Sequence, residues 1–248
     1  MDFTFEEYGH IIDSLKKQNY EFTNYKDWNK YDKPVILRHD VDISLEKAYE
    51  MARFEQSVGV KSTYFVLITG DFYNTFNKQN IEIVKKIADC GMDIGLHFDE
   101  TIYSRDCDIV TAIEREIMVM EWMIGMDVES VSMHIPSQRT LEANYIIKGG
   151  KIINSYSNVF FKEFKYVSDS KMHWRENVYD VIESGKYQRI HLLTHPVWYN
   201  KNNMPMWDTV SQILKKQAKE TYKNFEVHTN GVVGAKTLEE CLTANDYN

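Results

Sequence analysis

From Pro34 onward, short β-branched or apolar runs alternate with amphipathic stretches about three turns long, and this rhythm restricts the fold more than any other feature of the chain. Strands are expected at 35–37 leading into 38–42, and at 62–68, 93–98, 130–134, 151–155, 166–168 and 189–195. Helices are expected between them: 44–58 with Ser44 as N-cap and Gly59 as stop, 81–90 ended by Gly91, 108–124 ended by Gly125, then 141–148 and 178–184. Another helix, 6–17, precedes the series behind the N-cap Thr4, and a last one runs over 210–222. Strands joined through helices run parallel. About seven strands with no break in composition predict an α/β fold, a distorted and incomplete (β/α) barrel. The expected organisation is a single domain over 1–248. Its motif-bearing part spans about 34–199, with an N-terminal helix 4–18 and a C-terminal helix 209–222 packed on it. The tail after Phe225 is weakly patterned and receives no assignment.

With 248 residues, 43% of them hydrophobic, the chain can bury a large core without disulfides. Its 29 basic residues against 37 acidic ones are scattered, which argues against a nucleic-acid partner. The densest basic cluster, Lys215, Lys216 and Lys219, reads as a solvated helix face. Cys90, Cys107 and Cys241 are odd in number and without CxxC spacing, so neither a disulfide framework nor a cysteine zinc site is expected. The start, MDFTFEEYGHII, has no apolar signal core, and no run reaches the length of a membrane span. The expectation is a cytoplasmic protein.

The chemistry-bearing residues share one address. Asp40 and Asp42 follow the first strand, His97 and His134 end the third and fourth, Asp169 follows the strand at 166–168, and His195 ends the last. In a parallel barrel the C-terminal strand ends meet at one mouth, where active sites lie. Residues i and i+2 of an extended strand project together, so Asp40 and Asp42 can divide labour between base and cation ligand; the competing role for either is capping the helix at Ser44. An Asp-His-His set leaves a zinc-like ion an open position for water, with Asp99, Glu100 or Thr101 close enough in sequence to add an oxygen. His195, delivered by Leu192-Leu193-Thr194, suits a general acid. His10, His191 and His228 read as packing or surface residues, and His173 is left open.

HDVD at 39–42, GMDIGLH at 91–97, SMHIPS at 132–137, SDSKMHWR at 168–175 and LLTHP at 192–196 together resemble the polysaccharide deacetylase superfamily, the NodB-like group or carbohydrate esterase family four in the broad sense. The flavour is similar to deacetylase-like proteins of bacterial surface-polysaccharide gene clusters. The resemblance implies a divalent metal, usually zinc, held by Asp42 and His97. Asp40 would be the base that activates water and His195 the acid that protonates the leaving amine. Asp169, Trp174 and Arg175 would form the motif that orients the base and walls the pocket. Two positions depart from the pattern: Thr101 stands where a second metal histidine is usual, and Ile135 where an arginine usually orients the base. His134 is the substitute ligand, and Arg38, Arg139 or Arg175 the substitute arginine.

The implied activity is removal of an N-acyl group, most simply N-acetyl, from an amino sugar or surface-polysaccharide precursor. Trp174, Trp198, Tyr199 and Phe98 are the aromatics available to face a sugar. Two other functions fit the same residues: an amidase on a small ureide or cyclic imide, and an inactive barrel that binds glycan.

Overall fold

Helix α1 (Phe5–Lys17) starts where Thr4 accepts a hydrogen bond from the Glu7 N–H, with Glu6 and Glu7 in its first turn and Lys16 and Lys17 in its last. It buries Tyr8, Ile11, Ile12 and Leu15. The computed structural model describes residues 1–229 and 236–243. Those up to Asn203 form one compact unit and those from Met204 a second.

In the first unit, β1 (Glu21–Thr23), β2 (Pro34–Val41), β3 (Thr63–Leu67), β4 (Asp93–Asp99), β5 (Ser130–His134), β6 (Ile153–Asn154), β7 (Lys165–Ser168) and β8 (Ile190–Thr194) make one sheet. Every pairing in it is parallel. Its order is β6-β5-β4-β3-β2-β8-β7, with β1 added beside the start of β2. The seven strands of that path curl into a half-barrel with helices outside, so the incomplete barrel expected from the sequence is the fold. The helices are α2 (Leu45–Ser57), α3 (Lys78–Asp89), α4 (Ile109–Ile124), α5 (Gln138–Ala143) and α6 (Val178–Glu183). Ser44 and Asp108 cap α2 and α4, and Gly125 ends α4 at φ 71°, a left-handed conformation that costs glycine nothing.

Strand alternation sorts the side chains into two cores. Outward-facing Val35, Leu37, Tyr64, Val66, Leu96, Val131 and Leu192 pack with the helices. Inside the barrel, Ile36 and Phe65 meet Tyr25, Phe160 and Phe164. The last two come from a π-turn, Val159–Glu163, and the residue that follows it. This turn lies in the connection from β6 to β7, the edge strands, so aromatic side chains fill the gap where a closed barrel would have another strand. Gly95 is required here: a Cβ would sit 2.5 Å from the Phe65 ring and 2.8 Å from Ser130 Oγ.

Three expectations need correction. The helix expected at 141–148 occupies Gln138–Ala143 and stops at Asn144, which is left-handed at φ 44°. Ser137 caps it by accepting from Thr140 N–H, so the start precedes the apolar periodicity that marked it. Strand β1 lies in a stretch read as polar connection, and the π-turn matches neither helix nor strand period.

The second unit holds α7 (Met206–His228), longer than the 210–222 expected, and α8 (Leu238–Leu242), whose Thr237 and Glu240 close a capping box. Part of the unassigned tail, 230–235 and 244–248, lies outside the described residues. No helix among the described residues is long and apolar enough to cross a membrane.

Candidate metal centre and active site

Asp42 stands just past β2, His97 on β4 and His134 at the end of β5, so the sheet brings their side chains to one edge. His97 Nε2 lies 3.1 Å and His134 Nδ1 3.5 Å from Asp42 Oδ1, and the two ring nitrogens are 3.3 Å apart. Ligands of a tetrahedral ion with bonds of about 2.0–2.1 Å lie about 3.3 Å from each other. The triad therefore has the separations that one such ion requires. Asp42 Oδ1 is also buried without a satisfactory hydrogen-bond donor, as an electron pair awaiting a cation would be. A carboxylate and two imidazoles suit zinc or a similar divalent ion and leave a coordination position open. The two histidine rings meet edge to face at 78°.

Beside the triad, Asp40 Oδ2 is 3.6 Å from His97 Nε2. Asp40 is held from below by Arg38, which donates from Nε to Oδ1 at 2.8 Å and from Nη2 to Oδ2 at 2.7 Å. Arg38 is fully buried and also reaches Ser132 Oγ and the Tyr156 hydroxyl. Burial works to raise the pKa of Asp40, but the Arg38 charge, with His97, overcomes it and holds the carboxyl below its ordinary range. Asp40 is thus kept an ionised acceptor.

On the other side, His195 Nδ1 is 2.6 Å from Asp169 Oδ1, and the His195 backbone N–H donates to both Asp169 oxygens at 3.1 Å. This fixes the ring so that Nε2 faces Asp42 Oδ2 at 3.7 Å. Burial of His195 lowers its basicity, yet the adjacent Asp169 charge wins and pushes its pKa up to about 9. The imidazole therefore carries a proton at neutral pH.

Six of the seven residues singled out, Asp40, Asp42, His97, His134, Asp169 and His195, come together. Arg175 does not: it is exposed, without a hydrogen bond or ion pair among the described residues, past the turn Ser170–Met172. The guanidinium on Asp40 belongs to Arg38, which shares a strand face with it at i and i+2. Arg139 is engaged elsewhere, on the Arg105 carbonyl. Asp169 orients His195 rather than Asp40. Asp99 accepts from Thr101 within its own turn, and Glu100 accepts from Ser137 and Thr140 at the start of α5, so all three of 99–101 are engaged in other hydrogen bonds. Phe98 and Tyr199 are core residues, Phe98 stacked on Tyr103 and Tyr199 edge-on to Phe3 and Tyr8. His191 packs inside the barrel with Nε2 2.6 Å from the Tyr25 hydroxyl, and burial pushes its pKa down to about 3. Ser132, which touches Arg38, escapes a search for ionisable residues, although it precedes His134 by two and the same pleat rule points to it.

No family model matches this chain, and no curated protein matches it. Solved structures similar to it include peptidoglycan deacetylases, family four carbohydrate esterases and a family four pseudoenzyme. A mutant of a Bacillus subtilis peptidoglycan deacetylase is 12% identical over 78% of this chain and 97% of its own, with a TM-score of 0.45. A family four carbohydrate esterase from Bacillus anthracis is 15% identical over 85% of this chain and 86% of its own, at 0.44. A family four pseudoenzyme from Bacillus anthracis is 15% identical over 75% of this chain, at 0.43. The chain spans 62% of that pseudoenzyme's length and 64% of its activity-restored mutant.

Proposed function

We propose that this protein is a divalent-metal-dependent hydrolase that removes an N-acyl group, most simply N-acetyl, from an amino sugar or surface-polysaccharide precursor. The observation that carries the reading is the ligand-spaced triad Asp42-His97-His134 flanked by an ionised carboxylate and a protonated imidazole. Asp42, His97 and His134 would hold the ion, zinc being the metal that best suits their donor set. When bound, such an ion supplies Lewis acidity, which makes water more acidic and an acyl carbonyl more electrophilic.

The remaining chemistry falls to the chain's own groups. Asp40, kept ionised by Arg38, accepts the proton of the attacking water. Arg38 fixes the direction of that carboxylate, because a forked guanidinium allows it one orientation. His195 gives its Nε2 proton to the departing nitrogen, which as an amine is a poor leaving group until protonated. Asp169 holds the opposite ring nitrogen and stabilises the charged imidazole. Acid and base thus stand at one triad, Asp40 against His97 and His195 against Asp42, with opposite charge states, as hydrolysis of an amide requires. Scattered basic charge and the three unpaired cysteines support a reducing compartment and a small or carbohydrate substrate in place of nucleic acid.

The test is elemental analysis of the purified protein, followed by amine release from N-acetylglucosamine oligomers with and without a chelator. The reading requires about one divalent ion per chain and turnover that falls with chelation. A protein that releases amine at full rate after the ion is stripped would refute it.

A further inference from the structure

Next to the Arg38–Asp40 pair lies a side chain to which the reading above gives no task. Tyr156 follows β6, at the open side of the half-barrel. Its backbone is pinned by its N–H donating to Asn154 Oδ1 at 2.9 Å. Its ring stacks on Phe161 at 4.8 Å and 25°, and Phe161 stacks on Tyr166 at 5.3 Å and 23°. The Arg38 guanidinium lies 4.8 Å from the Tyr156 ring centre. The phenol is therefore fixed by stacking, by a cation–π contact and by its backbone.

Its hydroxyl accepts from Arg38 Nη2 at 3.3 Å, the same nitrogen that donates to Asp40 Oδ2 at 2.7 Å. The phenol proton itself has no acceptor among the described residues. Arg38, Asp40 and Ser132 are buried whereas Tyr156 is half-buried, so Tyr156 is where this polar group reaches the surface. The fold does not depend on the hydroxyl: a phenylalanine would keep the stack and the guanidinium contact, and Arg38 would keep Asp40 and Ser132.

We propose that Tyr156 is a substrate-binding residue, donating its phenol O–H to a hydroxyl or carbonyl oxygen of the sugar on the Asp40 side of the site, with Phe161 and Tyr166 as its supporting wall. This rests on the amino-sugar reading of the same site. A donor held rigidly before substrate arrives loses little entropy on binding, so its contribution appears in affinity.

The experiment is calorimetric titration of tri-N-acetylchitotriose into the His195→Ala protein, chosen because it turns over slowly, with and without Tyr156→Phe. Loss of one neutral hydrogen bond should weaken binding by about 3–10-fold. The melting temperature of Tyr156→Phe should equal that of its parent, which a merely structural hydroxyl would not allow. Equal affinities, or no binding by either protein, would overturn the assignment. Wild-type turnover on the same sugar is judged separately: binding that depends on Tyr156 without any amine release removes the hydrolase reading and leaves the binding residue. Amine release with affinity independent of Tyr156 does the reverse.

Discussion

Replacing Arg38 by methionine would test the pairing on which the base depends. The guanidinium is fully buried and has four polar contacts, two to Asp40 and one each to Ser132 and Tyr156, the last at 3.3 Å sharing the two protons of Nη2. Asp40 is itself only 4% exposed, so water cannot take over what Arg38 supplies. Removing one partner of a buried pair strands the other charge, at a cost of about 3–5 kcal/mol. A domain has a total stability of about 5–15 kcal/mol, so Arg38→Met should stay folded but lose a large share. With about 2–4 °C per kcal/mol at this size, the melting temperature should fall by about 6–20 °C. Urea denaturation in chelator measures the free energy without linkage to bound metal. The decisive comparison is the double variant Arg38→Met with Asp40→Leu, which removes both charges. It should recover most of the lost stability while remaining inactive, because the cost lies in the stranded carboxylate. A loss below about 1 kcal/mol for Arg38→Met, the size of an exposed pair, would refute the argument, as would a double variant no more stable than the single one.

Asp40→Asn should keep the metal and lose turnover, whereas Asp42→Asn, His97→Ala and His134→Ala should each lose metal by elemental analysis; full occupancy in His134→Ala would remove it from the ligand set. His195→Ala should slow hydrolysis of an N-acyl substrate by about 10²–10⁴-fold with metal content unchanged, and an activated ester much less, since its leaving group needs no proton. Equal losses on both substrates with a large drop in melting temperature would make His195 a packing residue. Glu116 on α4 accepts from the Tyr103 hydroxyl at 2.6 Å, and its other oxygen is buried without a partner. Burial outweighs the Tyr103 hydrogen bond and, with Asp99 nearby, pushes its pKa up to about 7, above the ordinary 4.5. Between those values the folded chain binds more protons than the unfolded one, so this group favours folding at low pH and its contribution is lost as pH rises toward 7. Glu116→Gln should flatten that part of the stability profile measured by urea denaturation, and an unchanged slope relative to wild type would contradict the assignment.

What could be read from the sequence follows from which physical signals are local. Period-two runs and capped amphipathic stretches are local, so β2 to β5, α1, α2 and α4 emerge within a residue or two of their observed ends. The three residues of β1 offer too little alternation to register, and the helix expected at 141–148 lies earlier because Ser137 caps it and Asn144 ends it, both polar signals outside an apolar pattern. The structure leaves Ile146 70% exposed and puts Ile147 in an isolated bridge with Ile152. The cluster of Asp42, His97 and His134 is legible because parallel topology alone brings strand ends together, whichever strands are neighbours. Partnerships between neighbours are another matter. The resemblance places Asp169, with Trp174 and Arg175, in a motif that orients the base. Strand order decides otherwise: β7 pairs with β8 with Ser168 opposite Leu193, so one residue on Asp169 stands level with Thr194 and meets the N–H of His195, the residue after it. β8 in turn lies beside β2, with Thr194 opposite His39, which sets His195 one strand and Asp169 two strands from the DxD segment. A chain read in one dimension shows which residues reach the mouth, but β8 returning between β2 and β7 is what sorts the ionisable side chains into two charge pairs, Asp40 with Arg38 and His195 with Asp169.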